Sequence, residues 1–457
     1  MIHRKKILLW ILSLISILAF IIYLSIAFHY RTHFYSGSYI NNINYSGKTV
    51  KEVEADIENE ISKYQITIQG RNGVHDTIHA ADIDYHYVSD GQVQALKDQQ
   101  NPLFWPFSFF TKKHLDMQIA CKYDEKSLLD SIANLLFFLD DVVKEPKNAE
   151  ILYGENGYYI KPEDWGTTLD IHKVQSAITE AIKESKSTMS LEGTHCYIDP
   201  TTLSSDEAVQ TALETLLKYT SSTITYDFGD RSEVLDRSIL HDWVTLDENF
   251  NVTLNQQKAI DYVNYLGYYY TTFSSTRDFI RQDGKTIKVR GGDYGWIINR
   301  SKEAEELYQL IQNGESVTRE PVYSQTAVSR NKNDIGSTYV EVNLKKQHLW
   351  LFVDGKQILD SNIVTGNISK DYGTPTGIYA ITYKEHDATL VGQDYSSPVR
   401  YWMPFNKNIG FHDAPWRKEF GKKIYKTRGS HGCVNMPPKK AAKLYDNIQK
   451  GTPIVIY

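Results

Sequence analysis

Ser430-His431-Gly432-Cys433-Val434-Asn435, preceded by Phe411-His412-Asp413 with 17 residues between His412 and Ser430, is the stretch on which the reading of this chain turns. A free thiol with an ordinary pKa near 8.5 is mostly protonated at neutral pH, so a cysteine nucleophile needs a base beside it. His412 and His431 are the two candidates. His431 and Cys433 are two apart and point to the same side of an extended segment, whereas His412 has to arrive from another strand. Gly432 removes a side chain beside the thiol, so that a planar carbonyl can approach backbone N–H groups able to stabilise an oxyanion. Cys433 alone reads as a small buried hydrophobe; two histidines, a serine and a glycine around it shift the reading to chemistry. Zinc held by His412, His431 and Cys433 is the alternative, but no His-x-x-x-His or Cys-x-x-Cys spacing supports it, and neither a metal nor a cofactor is expected.

The surrounding pattern is β. Val340, Val342 and Leu344 alternate, His348 to Val353 form an apolar strand, and Asp354-Gly355 is a two-residue hairpin turn leading into Lys356 to Val364. Gly373-Thr374-Pro375-Thr376-Gly377 is a turn before a strand from Ile378 to Tyr383, Lys439 to Gln449 is a late helix, and Pro453 to Tyr457 a closing strand. Between Tyr383 and Phe405, Gly392, Tyr395, Trp402 and Phe405 lack clean periodicity. They read either as a lid contacting a substrate, with Trp402 and Phe405 as binding residues, or as aromatics packed at a sheet edge.

His412, the 17-residue gap and the Ser430 to Asn435 hexapeptide, with Gly373 to Gly377 and Gly410-Phe411-His412 as flanks, resemble the motif of the L,D-transpeptidase catalytic domain (YkuD-like). The resemblance covers residues 338–457 and implies a mainly-β, β-sandwich-like domain that crosslinks peptidoglycan. It implies that Cys433 attacks the carbonyl of the third, L-configured centre of a donor tetrapeptide stem and expels the terminal D-alanine. A stem acceptor amine then resolves the thioester into a 3→3 crosslink. His412 would be the base, Ser430 the group that orients its imidazole unless a backbone carbonyl does so, and the Gly432 and Cys433 amides the oxyanion hole. His431 and Asn435 would shape the site and contact the donor. An L,D-carboxypeptidase, with water in place of the amine, and a non-catalytic wall-binding protein are the competing readings.

Working outward, 457 residues at roughly 150 per domain suggest about three units. Fifty Lys and Arg against 56 Asp and Glu give a net charge of -6, the wrong sign for a partner held through nucleic-acid phosphates. Mean hydropathy of -0.43 argues against a polytopic membrane protein. One segment departs from that average: Ile7 to Phe28 is free of charge over 22 residues, about 33 Å as a helix, enough to span a bilayer core. Arg4, Lys5 and Lys6 before it leave residues 1–6 in the cytoplasm and the bulk outside, in a single-pass arrangement. A cleaved signal peptide is the alternative.

Residues 29–115 read as a membrane-proximal α+β unit, with a Thr49-Val50-Lys51-Glu52 capping box and an Asn72-Gly73 hairpin turn. Its aromatic run Leu103 to Phe110 is expected to pack into a core or against another domain, with a membrane-facing patch as the alternative. Residues 116–327 carry an internal repeat. Glu163-Asp164-Trp165-Gly166 and Gly292-Asp293-Tyr294-Gly295 are each followed by a helix and a strand, with Tyr197 and Tyr323 lying 31 and 28 residues after the glycines. The two copies resemble the peptidoglycan-binding modules that precede some wall-crosslinking enzymes. Residues 328–337 read as a linker. Cys121 and Cys196, flanking the first copy, read either as a disulfide or as two buried thiols. The fold class is therefore multidomain: one N-terminal transmembrane helix, an α+β repeat region and a mainly-β catalytic domain. Oligomeric state is not legible.

Overall fold

The computed structural model describes residues 2–330, 333–392 and 395–457. It forms two compact units, Met1–Glu150 with Lys161–Ser204, and Ile151–Ile160 with Ser205–Tyr457. The first opens with α1 (Ile2–His29), long and apolar enough to cross a membrane, and its apolar side chains are uncovered, Leu9 and Trp10 being 65% and 77% exposed. The Thr49–Glu52 capping box forms and starts the helix Val50–Ile61.

The core of this unit shows why the chain repeats. Strands β1 (Gln65–Gln69) and β2 (His75–His79) form a hairpin through Asn72, at φ 60°. After Asp164-Trp165-Gly166, Asp170 caps α2 (Ile171–Lys183) by accepting from the His172 N–H at 3.0 Å, and β3 (Thr188–Ser190) then pairs in parallel with β1. Ile66, Ile68, Val174, Ile178 and Ile182 are fully buried between them. The second unit repeats the plan. Hairpin β4 (Ile224–Asp227) and β5 (Ser232–Leu235) comes first; after Asp293-Tyr294-Gly295, Asn299 caps α3 (Arg300–Asn313), and β6 (Val317–Arg319) pairs in parallel with β4. Each copy is thus a hairpin whose first strand receives a parallel partner from the helix that follows the Asp-aromatic-Gly turn. Cys121 and Cys196 are separate thiols, so the disulfide alternative is not formed.

The aromatic run departs from the expected core packing. Pro102 and Pro106 cannot donate the amides a strand or long helix needs, and Pro102–Phe109 folds as short 3-10 turns that leave Leu103, Phe104, Phe107, Phe109 and Phe110 exposed.

The C-terminal part of the second unit is a two-sheet sandwich. The first sheet joins β7 (Tyr339–Asn343), β8 (His348–Val353), β9 (Lys356–Asn362) and β10 (Gly377–Ala380). The second comprises β11 (Glu385–Gly392), β12 (Tyr395–Asn406), β13 (Ile409–Asp413) and β14 (Val434–Met436). The helix α4 (Pro438–Asn447) follows, and β15 (Pro453–Ile456) returns to the first sheet, giving orders β9–β8–β7–β15–β10 and β11–β12–β13–β14. Val342, Leu349 and Leu351 of one sheet meet Met403, Phe411, Val434 and Met436 of the other over Ala441 and Leu444 of α4. The stretch read as a lid is the β11–β12 hairpin; residues 393 and 394 of it lie outside the described residues.

The expected linker 328–337 is partly a buried strap. Its residues 331 and 332 lie outside the described residues, but Asp334 and Ile335 are only 3% and 1% exposed. Arg277, on the hairpin strand Arg277–Ile280, places Nη2 2.9 Å from Asp334 Oδ2 and donates to Thr272 O and Tyr294 O, while the Tyr294 hydroxyl donates to Asp334 O at 3.0 Å. Composition reads these polar residues as solvated because their partners lie up to 57 residues away in sequence. Beside the strap, the Gly291–Tyr294 turn lies against β10: Ile378 N–H donates to Gly291 O at 3.0 Å and Tyr294 N–H to Ile378 O at 3.3 Å. Only glycine fits at 292, since its φ is +84° and a Cβ would stand 1.8 Å from Ile378 O.

Removing one partner of a buried ion pair strands the other charge, at a cost of about 3–5 kcal/mol. Asp334→Ala is expected to lower the denaturation midpoint of the second unit accordingly, with Arg277→Met/Asp334→Leu recovering most of the loss. Equal midpoints for the Ala variant and the parent would show that the strap contributes nothing.

Candidate active site

Pairing of β13 with β14 assembles the site. The strands run parallel with Phe411 opposite Val434 and His412 opposite Asn435, which carries Cys433, just before β14, to the same end of the sheet as the imidazole. On its other side β13 pairs antiparallel with β12, setting Trp402 opposite His412. The loop before Cys433 is fastened from several directions. Ser430 N–H donates to Thr365 O, Asn367 N–H donates to Ser430 O, and the Thr374 hydroxyl donates to Gly432 O at 2.6 Å. Thr374 belongs to the Gly373–Gly377 turn, so that turn meets the motif it flanks in sequence. Gly432 has φ +119°, a backbone conformation L side chains rarely adopt, and a Cβ there would come within 3.1 Å of Ile409.

His412 is 4% exposed and its Nδ1 lies 2.8 Å from the Asp413 carbonyl oxygen. An acceptor at Nδ1 selects the tautomer with its proton there, leaving Nε2 with a free lone pair. The Asp413 carboxylate is engaged elsewhere, accepting from the Arg400 and Tyr401 N–H groups at 2.9 Å each. Cys433 is 8% exposed, and its thiol donates to Asn408 O at 3.4 Å. Burial pushes the Cys433 thiol up, and burial, reinforced by the nearby Arg417 cation, pushes the His412 imidazole down. Both shifts favour the neutral forms, thiol and imidazole, over a thiolate–imidazolium pair.

Ser430 does not hold His412. Its hydroxyl donates to Cys433 O and accepts from the Gly432 N–H at 3.1 Å, closing the nucleophile loop on itself. The acceptor on the imidazole is the Asp413 carbonyl. Because the Gly432 amide is committed to Ser430, the Cys433 amide is the stronger oxyanion candidate of the two. Phe405 is not at the site either: at 1% exposure it packs against Phe411 and Tyr379, because the pleat turns it toward the core between the sheets. Trp402, 5% exposed, lies behind the reacting groups, its ring 6.1 Å from that of His412, and clusters with Cys433, Ala388 and Val399. It supports the imidazole from within the sheet.

His412, Cys433, Ser430, His431, Asn435 and Arg417 share one cavity of about 230 Å³. His431 is exposed at its mouth, its ring 4.7 Å from that of Tyr372. Asn435 is 2% exposed, and its Oδ1 is buried with no hydrogen-bond partner among the described residues. A larger cavity of about 530 Å³, lined by Arg400, Tyr401, Asp413 and Lys439 among others, holds neither thiol nor imidazole. Arg417 is the residue that sequence reading passes over. One of its Nη groups donates to Arg428 O at 3.0 Å, while its Nε is buried without a partner among the described residues. Burial and the Arg428 charge both weaken its hold on its proton. Its place within the 17-residue gap does not single it out, since Lys418, Lys422, Lys423, Lys426 and Arg428 share that gap.

Comparison with known proteins finds matches along three stretches of the chain. Residues 337–456 match the YkuD family model, "L,D-transpeptidase catalytic domain", and residues 77–190 and 204–319 match "Putative peptidoglycan binding domain". The first of those copies begins well before residue 116. The chain is 34% identical to the avibactam carbamoyl enzyme of Ldtfm, over 55% of this chain and 98% of that one (TM-score 0.48). It is equally identical to a cysteine-to-serine mutant of Enterococcus faecium L,D-transpeptidase, over 54% and 99% (TM-score 0.48). "Putative L,D-transpeptidase YciB" of Bacillus subtilis (strain 168) is 29% identical over 129 residues, 26% of this chain; the match spans 64% of that relative's length. The chain belongs to the YkuD-type L,D-transpeptidase family and carries two copies of a peptidoglycan-binding domain type ahead of its catalytic domain.

A raised thiol pKa has a direct readout. Alkylation of Cys433 by iodoacetamide, followed by peptide mass mapping, is expected to keep accelerating above about pH 9.5, where a thiol of ordinary pKa is already about nine-tenths ionised and levels off. A plateau reached by pH 7 would mean that the thiolate is already formed.

Proposed function

We propose that the protein is a membrane-anchored L,D-transpeptidase that forms 3→3 peptidoglycan crosslinks through a thioester on Cys433. The observation that carries this reading is one cavity shared by a buried thiol, an imidazole whose Nδ1 meets a backbone carbonyl, and an arginine whose Nε has no partner among the described residues. Cys433 Sγ attacks the carbonyl of the third residue of the donor stem as His412 Nε2 takes the thiol proton. The Cys433 amide N–H stabilises the resulting oxyanion. Collapse breaks the bond to the terminal D-alanine, whose amine leaves with the proton held by His412. The acceptor amine then attacks the thioester, giving its proton to His412, and the cysteine is released as thiol. Because His412 starts neutral, the base is in its working form at rest.

In this reading the two modules hold the wall polymer, residues 7–28 span the membrane with residues 1–6 cytoplasmic, and residues 338–457 act outside. Arg417 receives the free carboxylate of the donor's terminal residue, which meets its unpartnered Nε.

Incubating the protein with tetrapeptide stems is expected to give crosslinked dimers and a Cys433 acyl adduct by mass spectrometry. Cys433→Ala and His412→Ala should each abolish dimers while leaving the fold intact. Tripeptides without dimers would convert the assignment to carboxypeptidase, and dimers from the Cys433→Ala protein would sink the mechanism. For Arg417, the donor with a C-terminal carboxamide should acylate the parent about 10-fold or more slower, whereas Arg417→Gln should treat acid and amide alike. The same acid-to-amide penalty in both proteins would remove Arg417 from substrate recognition.

A further inference from the structure

The run Leu103–Phe110 is the surface of the first unit that no function yet described uses. Leu103, Phe104, Phe107, Phe109 and Phe110 are 51%, 58%, 66%, 59% and 87% exposed. Scattered exposed apolar side chains are ordinary, but five large ones within eight residues make a contiguous patch, and such patches mark contacts. Its attachment to α1 indicates which contact. Trp105 Nε1 donates to Tyr23 O at 3.2 Å, and the Tyr23 hydroxyl donates to Leu103 O. The Trp105 ring lies 5.8 Å from that of Tyr23 and 6.3 Å from that of Tyr30. Tyr23 is five residues before Phe28, the last of the uncharged stretch, or about 7.5 Å along the helix axis. The patch is therefore held at the level of the last turns of the apolar segment.

That level is the outer bilayer interface, provided α1 is the membrane span proposed above. Tryptophan and tyrosine concentrate there, and apolar faces sink about 5–10 Å into the headgroup and acyl boundary. Lys112 and Lys113, both exposed, follow the run directly, where lipid phosphates would meet them. We propose that Leu103–Phe110 is a second membrane contact, a monotopic aromatic wedge that inserts its phenylalanines into the outer leaflet and, through Trp105, fixes the tilt of the first unit on its own transmembrane helix.

Full-length protein with Cys121, Cys196 and Cys433 replaced by Ala, reconstituted in phosphatidylglycerol and phosphatidylethanolamine vesicles, tests this with single fluorescent labels at Phe107→Cys, Phe110→Cys, Glu125→Cys and Phe20→Cys. The expected result is that doxyl lipids quench the 107 and 110 labels at least 3-fold more than the Glu125 label, while aqueous iodide spares them and reaches Glu125. Iodide access at 107 and 110 equal to that at Glu125 overturns the wedge, as does protection from both quenchers, which would mean a protein cover. A Phe20 label that iodide reaches would instead show that α1 is not inserted, bringing down the anchor and the wedge together.

Discussion

Parallel pairing of two short strands, Ile409–Asp413 and Val434–Met436, is the constraint from which the site follows. Parallel neighbours cannot be joined by a tight turn, so the chain must leave the sheet and return, and here it does so through residues 414–433. That excursion delivers both the nucleophile loop and Arg417. It also explains the spacing of the motif: the gap between His412 and Ser430 is the length of a crossover, and shortening it would pull the register apart. Since each side chain in a strand faces opposite its neighbours, a one-residue slip would turn His412 into the core and Phe411 into the cavity.

The hydrogen bonds of the His412 imidazole and the Cys433 thiol run to backbone carbonyls, those of Asp413 and Asn408. The imidazole is aimed by a backbone carbonyl, not a carboxylate; that carbonyl and the Asp413 charge pull its pKa up, but burial outweighs them and leaves it lowered. The Asp413 carboxylate is spent on two amides of the neighbouring strand. The Asn435 side-chain oxygen and Arg417 Nε remain as buried polar atoms without hydrogen-bond partners among the described residues. Such atoms are costly in a resting fold, and a bound ligand is the natural means of relieving the cost.

Much of the catalytic sandwich was legible because its signals are local. The Asp354-Gly355 turn, the alternation around Val340 and the apolar strand His348–Val353 each need only a few residues to declare themselves, and the structure has them at β7 to β9. The repeat was legible through its Asp-aromatic-Gly turns, although its hairpins, which come earlier in each copy, were not matched to each other. What escaped depended on distant partners. The motif offers Ser430 or a backbone carbonyl to orient His412, and geometry selects the carbonyl of Asp413, while the Gly432 amide and Cys433 carbonyl engage Ser430. Phe405 looked like a binding residue because aromatic identity does not say which side of a pleat faces inward. The 328–337 segment looked solvated because the pairing of Asp334 with Arg277 spans 57 residues. Leu103–Phe110 reads as core or domain contact, with a membrane-facing patch as the alternative; its prolines and short turns leave five of its eight residues exposed.

The turn at Gly291–Tyr294 has a consequence for how the catalytic domain survives in solution. Strand Gly377–Ala380 is the last in its sheet, and its outer side offers the unpaired amides and carbonyls that recruit other chains into aggregates. The turn occupies that side at Ile378, taking both its N–H and its carbonyl. The upstream module therefore works as an edge guard. A fragment cut at the start of the sandwich would keep every residue of the reacting pocket and lose the cover on its most adhesive margin.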